Sequence, residues 1–115
     1  MRFVKSVAAM SLLIAATAVA HHGWDGYDSS KLMKLEGRIA KAGYENPHGT
    51  ASLLTDSKTW HVVLAPPSRM TNRGLTREML VDGATATVEG YPHRQNEAEM
   101  RAERITIGGK TVELR

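Results

Sequence analysis

Beyond residue 31 the chain is dominated by short runs in which apolar and polar positions alternate, the period of a half-buried β-strand. Leu35, Gly37 and Ile39 fall on one face and Glu36 and Arg38 on the other, which predicts a first strand over Leu32 to Tyr44. Gly37 and Gly43 within or beside it suggest a bend or bulge. Thr50 to Leu54 reads as a second strand. A third runs from Thr59 to Ala65, where Trp60, Val62 and Leu64 alternate with His61 and Val63 before Pro66-Pro67 ends the ladder. Ala84, Ala86 and Val88 alternate with Thr85, Thr87 and Glu89 in a fourth strand that closes on Gly90-Tyr91-Pro92-His93. Met100 to Ile107 is a fifth, and Gly108-Gly109 is a two-residue hairpin turn into Thr111 to Leu114.

Ser68 to Val81 breaks this period. Thr76 is placed to cap a short helix starting at Arg77, with Glu78 in its first turn and Leu75 and Leu80 spaced as a hydrophobic staple; Asp82-Gly83 then stops it. Three strands, a short helix, two strands and a last hairpin strand match an all-β fold with one short helix. That fold is a small OB-fold-like Greek-key barrel of five to six strands. In such a barrel the loops joining strands one to two and four to five flank one binding face. They carry Asn46-Pro47-His48 and Tyr91-Pro92-His93, so two histidines distant in sequence are expected on one side of the barrel.

The N-terminus follows other rules. Arg2 and Lys5 precede an apolar, small-residue run from Val7 to Val19, and Ala18-Val19-Ala20 supplies a small-x-small cleavage pattern, so residues 1–20 are expected to be a removable export signal. The run is too short to span a bilayer comfortably, and no stable membrane insertion is expected once it is removed. Ala16-Thr17-Ala18 offers a second cleavage pattern, two residues earlier. The expected organisation is a signal at 1–20, an arm at 21–31 that is ordered if Trp24 or Tyr27 docks, and a single barrel domain at 32–115, in the periplasm or secreted.

Composition changes the picture in two ways. Two of the 15 Lys and Arg residues lie in the signal, which leaves 13 against 12 acidic residues. A nearly neutral chain with few aromatics gives no basis for nucleic acid as a partner. There is no cysteine among the 115 residues, so disulfides and thiolate metal sites are excluded and any transition-metal site must use imidazole, carboxylate, backbone or amine.

Cleavage after Ala20 would make His21 the first residue, with a free α-amine beside its ring. With His48 or His93 it would form a donor set suited to copper, or less well to zinc or nickel; His22 and His61 are weaker candidates. The set resembles the histidine brace of copper enzymes, in which an N-terminal histidine chelates through amine and ring and a second histidine completes a T-shape. Without metal, Trp24, Tyr27, Tyr44 and Tyr91 with Arg69 and Arg73 would form a face for an envelope protein or small molecule. Arg69, Arg73, Arg94, Arg101 and Arg104 are dense enough to bind carboxylate or phosphate bidentately, but the interspersed Glu78, Glu99 and Glu103 point to surface pairing instead. No phosphate loop, nucleophile elbow or H-E-x-x-H pair is present, so a non-enzymatic binding protein is expected.

With His21-His22-Gly23-Trp24, Glu45-Asn46-Pro47-His48, Leu64-Ala65-Pro66-Pro67-Ser68-Arg69-Met70 and Gly90-Tyr91-Pro92-His93 in view, the chain resembles a family of small exported bacterial proteins of unknown function. The resemblance covers essentially all of the mature chain and implies an exported, single-domain protein. At the level of fold it is also similar to periplasmic OB-fold stress proteins, for some of which small cationic or metal ligands have been proposed.

Overall fold

The computed structural model describes residues 23–115. Six strands alternate as the sequence pattern dictates: β1 Met33–Gly43, β2 Thr50–Leu54, β3 Thr59–Val63, β4 Thr85–Pro92, β5 Glu99–Ile107 and β6 Lys110–Glu113. Their order is β3-β2-β1-β4-β5-β6, antiparallel throughout, and a parallel pairing of β3 with β5 closes the first five into a barrel. The expected OB-like barrel is therefore the observed fold. The expected signal at 1–20 and the residues His21 and His22 lie outside the described residues.

β5 holds the barrel together because it serves three neighbours. His61 to Val63 pair with Glu99 to Arg101 at its start, β6 pairs with Arg104 to Ile107 at its end, and β4 runs along its other edge. It can do this because its alternation slips once. Gly90 pairs with Ala102 and Glu89 with Arg104, so the register shifts at this point and Glu103 is the additional residue. Met100 and Ala102 are in the core before the slip and Ile105 and Ile107 after it. Arg101, between two core residues, consequently lies on the outer face.

The core is filled from every strand, by Ile39, Leu53, Val62, Val88, Ile105 and Val112, all nearly inaccessible to solvent. Glycine is required where backbones approach. A Cβ on Gly37 would meet the carbonyl of Leu54, and one on Gly90 would meet the backbone of Arg101 and Ala102. The bulge expected in β1 lies between Ala40 and Gly43, whereas Gly37 marks the close approach. Gly108 and Gly109 both have positive φ, as the two-residue turn between β5 and β6 demands.

The helix is not where the sequence pattern placed it. Helix α1 spans Pro67–Asn72, and Arg77–Met79 forms only a single 3-10 turn, in which Thr76 makes no side-chain cap bond. Pro66, with extended backbone, stands at the N-cap and Pro67 at the first helical position, where the lost N–H has no partner to lose. The proline pair that ends β3 thus starts a helix. Leu75 and Leu80 are both buried, but they serve the barrel core and not a long helix.

Candidate ligand site at the arm–barrel junction

The arm folds back onto the barrel. The Tyr27 backbone bridges His93, the Asp28 N–H donates to the Pro92 carbonyl at 2.9 Å, and the Arg94 N–H donates to the Gly26 carbonyl at 2.8 Å. Tyr27 is the anchor: its ring is buried edge-on to His93, with centroids 5.1 Å apart, and its hydroxyl donates to a Glu99 carboxylate oxygen. Burial, then that hydrogen bond and the Glu99 charge, hold the phenol well above its ordinary pKa, so it stays protonated.

Trp24 is half-buried and packs edge-on to Tyr27 and Tyr91, at 6.5 and 6.2 Å between centroids. The guanidinium carbons of Arg101 and Arg115 each lie 4.4 Å from its ring centroid. Arg101 is the unusual member. Its side chain leaves the outer face of β5, yet only 6% of the residue is exposed because the arm covers it. Gly23 passes so close that a Cβ there would collide with Arg101 Nη1. Arg101 Nη2 donates to His48 Nε2 at 3.1 Å, since a guanidinium has no acceptor. Among the described residues its Nε has no partner and no carboxylate forms an ion pair with it.

The sequence candidates separate accordingly. His48, on the β1–β2 loop, and His93, at the start of the β4–β5 loop, are the two ends of one run of contacts: His48 to Arg101, Trp24, Tyr27 and His93. Both rings are engaged. His93 Nδ1 accepts the Gln95 and Asn96 backbone N–H groups at 3.1 and 3.0 Å, which puts its proton on Nε2; His48 Nε2 accepts from Arg101, which puts its proton on Nδ1. His61 is exposed on β3. Tyr44 turns to the β3–β4 crossover, where its hydroxyl donates to the Leu75 carbonyl at 2.6 Å. Arg69 and Arg73 reach the C-terminal strand, donating to the carbonyls of Leu114 and Glu113 at 3.0 and 2.9 Å. Among the described residues no three His, Asp or Glu side chains are grouped to hold a metal ion.

The arginines also divide. Arg104 pairs with Glu89 and Glu113 at 3.2 and 2.8 Å, and Arg115 with Glu103 at 3.5 Å, as surface pairing predicts. Arg101 departs from that expectation. Its position between Met100 and Ala102 places it on the outer face of β5, and no local sequence signal marks it out from the other arginines.

Electrostatics make the junction cationic while keeping His48 neutral. Burial, then the charges of Arg101 and Arg69, push the His48 imidazole below its ordinary pKa. Between that lowered value and the unfolded value of about 6.5, the unfolded chain binds more protons than the native chain. The His48 contribution is therefore complete above about pH 6.5 and is lost as pH falls through the lowered native value. Denaturant titrations of wild type and His48→Gln from neutrality to about pH 5 should diverge in this sense, with the wild type losing more stability. Parallel curves would contradict it.

A family model described as a family of unknown function, DUF6152, matches residues 9–101. The chain belongs to that family. No curated protein matches the DUF6152 chain. Solved structures that share its fold include two of TiaS. A complex of TiaS with tRNA and ATP is 20% identical with a TM-score of 0.51, over 74% of this chain and 19% of that one. The ZRD-deleted mutant of TiaS in complex with agmatine is 21% identical with a TM-score of 0.52, over 74% and 24%. The DUF6152 chain spans only about a fifth to a quarter of those proteins, and at this identity the likeness is one of fold alone.

Proposed function

We propose that this DUF6152 protein is an exported, non-enzymatic binding module whose ligand sits where the arm crosses the barrel. The observation that carries the proposal is the run of contacts from His48 through Arg101, Trp24 and Tyr27 to His93, which joins both loops of the OB binding face to one folded-back arm. The ring nitrogens of His48 and His93 that face neighbours are already used within the protein, so the face is best suited to a metal-independent ligand or a partner protein of the envelope.

Copper is a second reading, favoured by one specific feature. Gly23 lies against Arg101, the residue that holds His48, so a His21 or His22 one or two residues upstream is within about 7 Å of chain reach from that point. Copper bound there would draw on the α-amine and ring of His21 and would require His48 to exchange its Arg101 contact for the metal.

Native mass spectrometry of the protein purified from its own envelope fraction tests both readings. The expected species begins at His21 and carries an adduct that is lost in Trp24→Ala. An organic adduct supports the metal-independent reading; a copper adduct abolished by His21→Ala supports the second. Bare polypeptide with its precursor N-terminus intact contradicts both.

A further inference from the structure

We propose that the ligand at this junction is a small oxyanion, carboxylate or phosphate, held by the guanidinium groups of Arg101 and Arg115 beside the His48 ring. The proposal rests on the junction being a binding site and adds the chemistry of what binds. A guanidinium removed from water loses much of its hydration free energy, and proteins recover it by pairing the charge with an anion. Arg101 is nine-tenths buried, and among the described residues its Nε is unpartnered and its one hydrogen bond goes to a neutral imidazole.

Its charged neighbours do not repair this. Arg69 and Arg115 act on Arg101 as like charges, while Glu99 is taken up by the Tyr27 hydroxyl and Glu103 by Arg115. Trp24 offers ring faces to both Arg101 and Arg115, each guanidinium carbon 4.4 Å from its centroid, but supplies no full negative charge. The site therefore holds more N–H donors than acids: the Arg101 guanidinium, the Arg115 N–H groups that the Glu103 pair leaves over, and His48 Nδ1–H. That donor set recognises the paired oxygens of a carboxylate or phosphate, for which the planar guanidinium fork is the matching geometry. It repels divalent cations.

Two-dimensional amide and side-chain NMR of the mature protein, titrated with sodium phosphate and separately with sodium citrate at ionic strength held constant with sodium chloride, tests the inference. The expected result is saturable shifts of the Trp24 indole N–H and of the His48 signals by at least one of the two anions, with no such response to chloride. Saturation by phosphate alone identifies a phosphate ligand and by citrate alone a carboxylate ligand. Binding should weaken at least tenfold in Arg115→Gln, an exposed substitution that leaves the barrel intact, and in Arg101→Met. Neither anion saturating, or affinity unchanged in Arg115→Gln, overturns the inference. If copper then shifts the same signals, the junction remains a binding site and only the oxyanion chemistry falls.

Discussion

Gly90→Ala is expected to lower the unfolding free energy by about 3 kcal/mol, at the upper end of what overpacking costs. Gly90 stands opposite Ala102 where the β4–β5 register shifts, and a methyl group there meets the carbonyl of Arg101 and the Cα of Ala102. Both are backbone atoms of the strand that closes the barrel, so no side-chain rotation relieves the clash. The strands must separate or the slip must move. Either change also displaces Arg101, which ties barrel closure to the candidate binding face. In urea the loss should appear as a midpoint lower by roughly 1–2 M. A change below about 1 kcal/mol would mean that the two strands yield locally, outside the range expected for such a clash.

Much of the barrel was legible in the sequence because period-two alternation is a direct consequence of one buried face. Thr50 to Leu54 and the Gly108-Gly109 turn needed no tertiary information. The crossover did not yield in the same way. Pro66-Pro67 is a strand terminator and also a good helix start, and local chemistry does not choose between them; the buried side of Met70 in α1 does. Thr76, Glu78 and the Leu75/Leu80 spacing imitate a capped helix, but here the two leucines are buried in the barrel core, along a segment with only one 3-10 turn.

The candidate binding face was legible only in part. The two histidine loops follow from the fold, and Tyr27 and Trp24 were visible as residues able to pin an arm. Arg101 was hidden among other arginines because an isolated arginine on a strand reads as surface. Alternation with Met100 and Ala102 places it on the outer face of β5, where solvent would be the ordinary neighbour. Its burial comes from the arm laid over that face, a contact between segments far apart in the chain, and no local pattern carries it.

Arg101→Met is expected to leave the protein as stable as the wild type or to raise its stability by about 1–2 kcal/mol, while removing ligand binding at the junction. Methionine keeps the length of the apolar stem and removes a buried charge that has no anionic partner among the described residues. Replacing unbalanced buried charges by apolar groups of similar volume is often neutral or stabilising, because the desolvation cost disappears with the charge. On this account the charge of Arg101 serves what binds at the junction and not the fold.

The measurement that bears most directly on the junction as a binding site is therefore the unfolding free energy of Arg101→Met beside that of the wild type, in buffer free of phosphate and carboxylates. Equal or higher stability for the methionine variant is the predicted result. A loss of more than about 2 kcal/mol would place Arg101 among the residues that hold the fold together, and the junction would then be a structural clasp for the arm and not a site for a ligand.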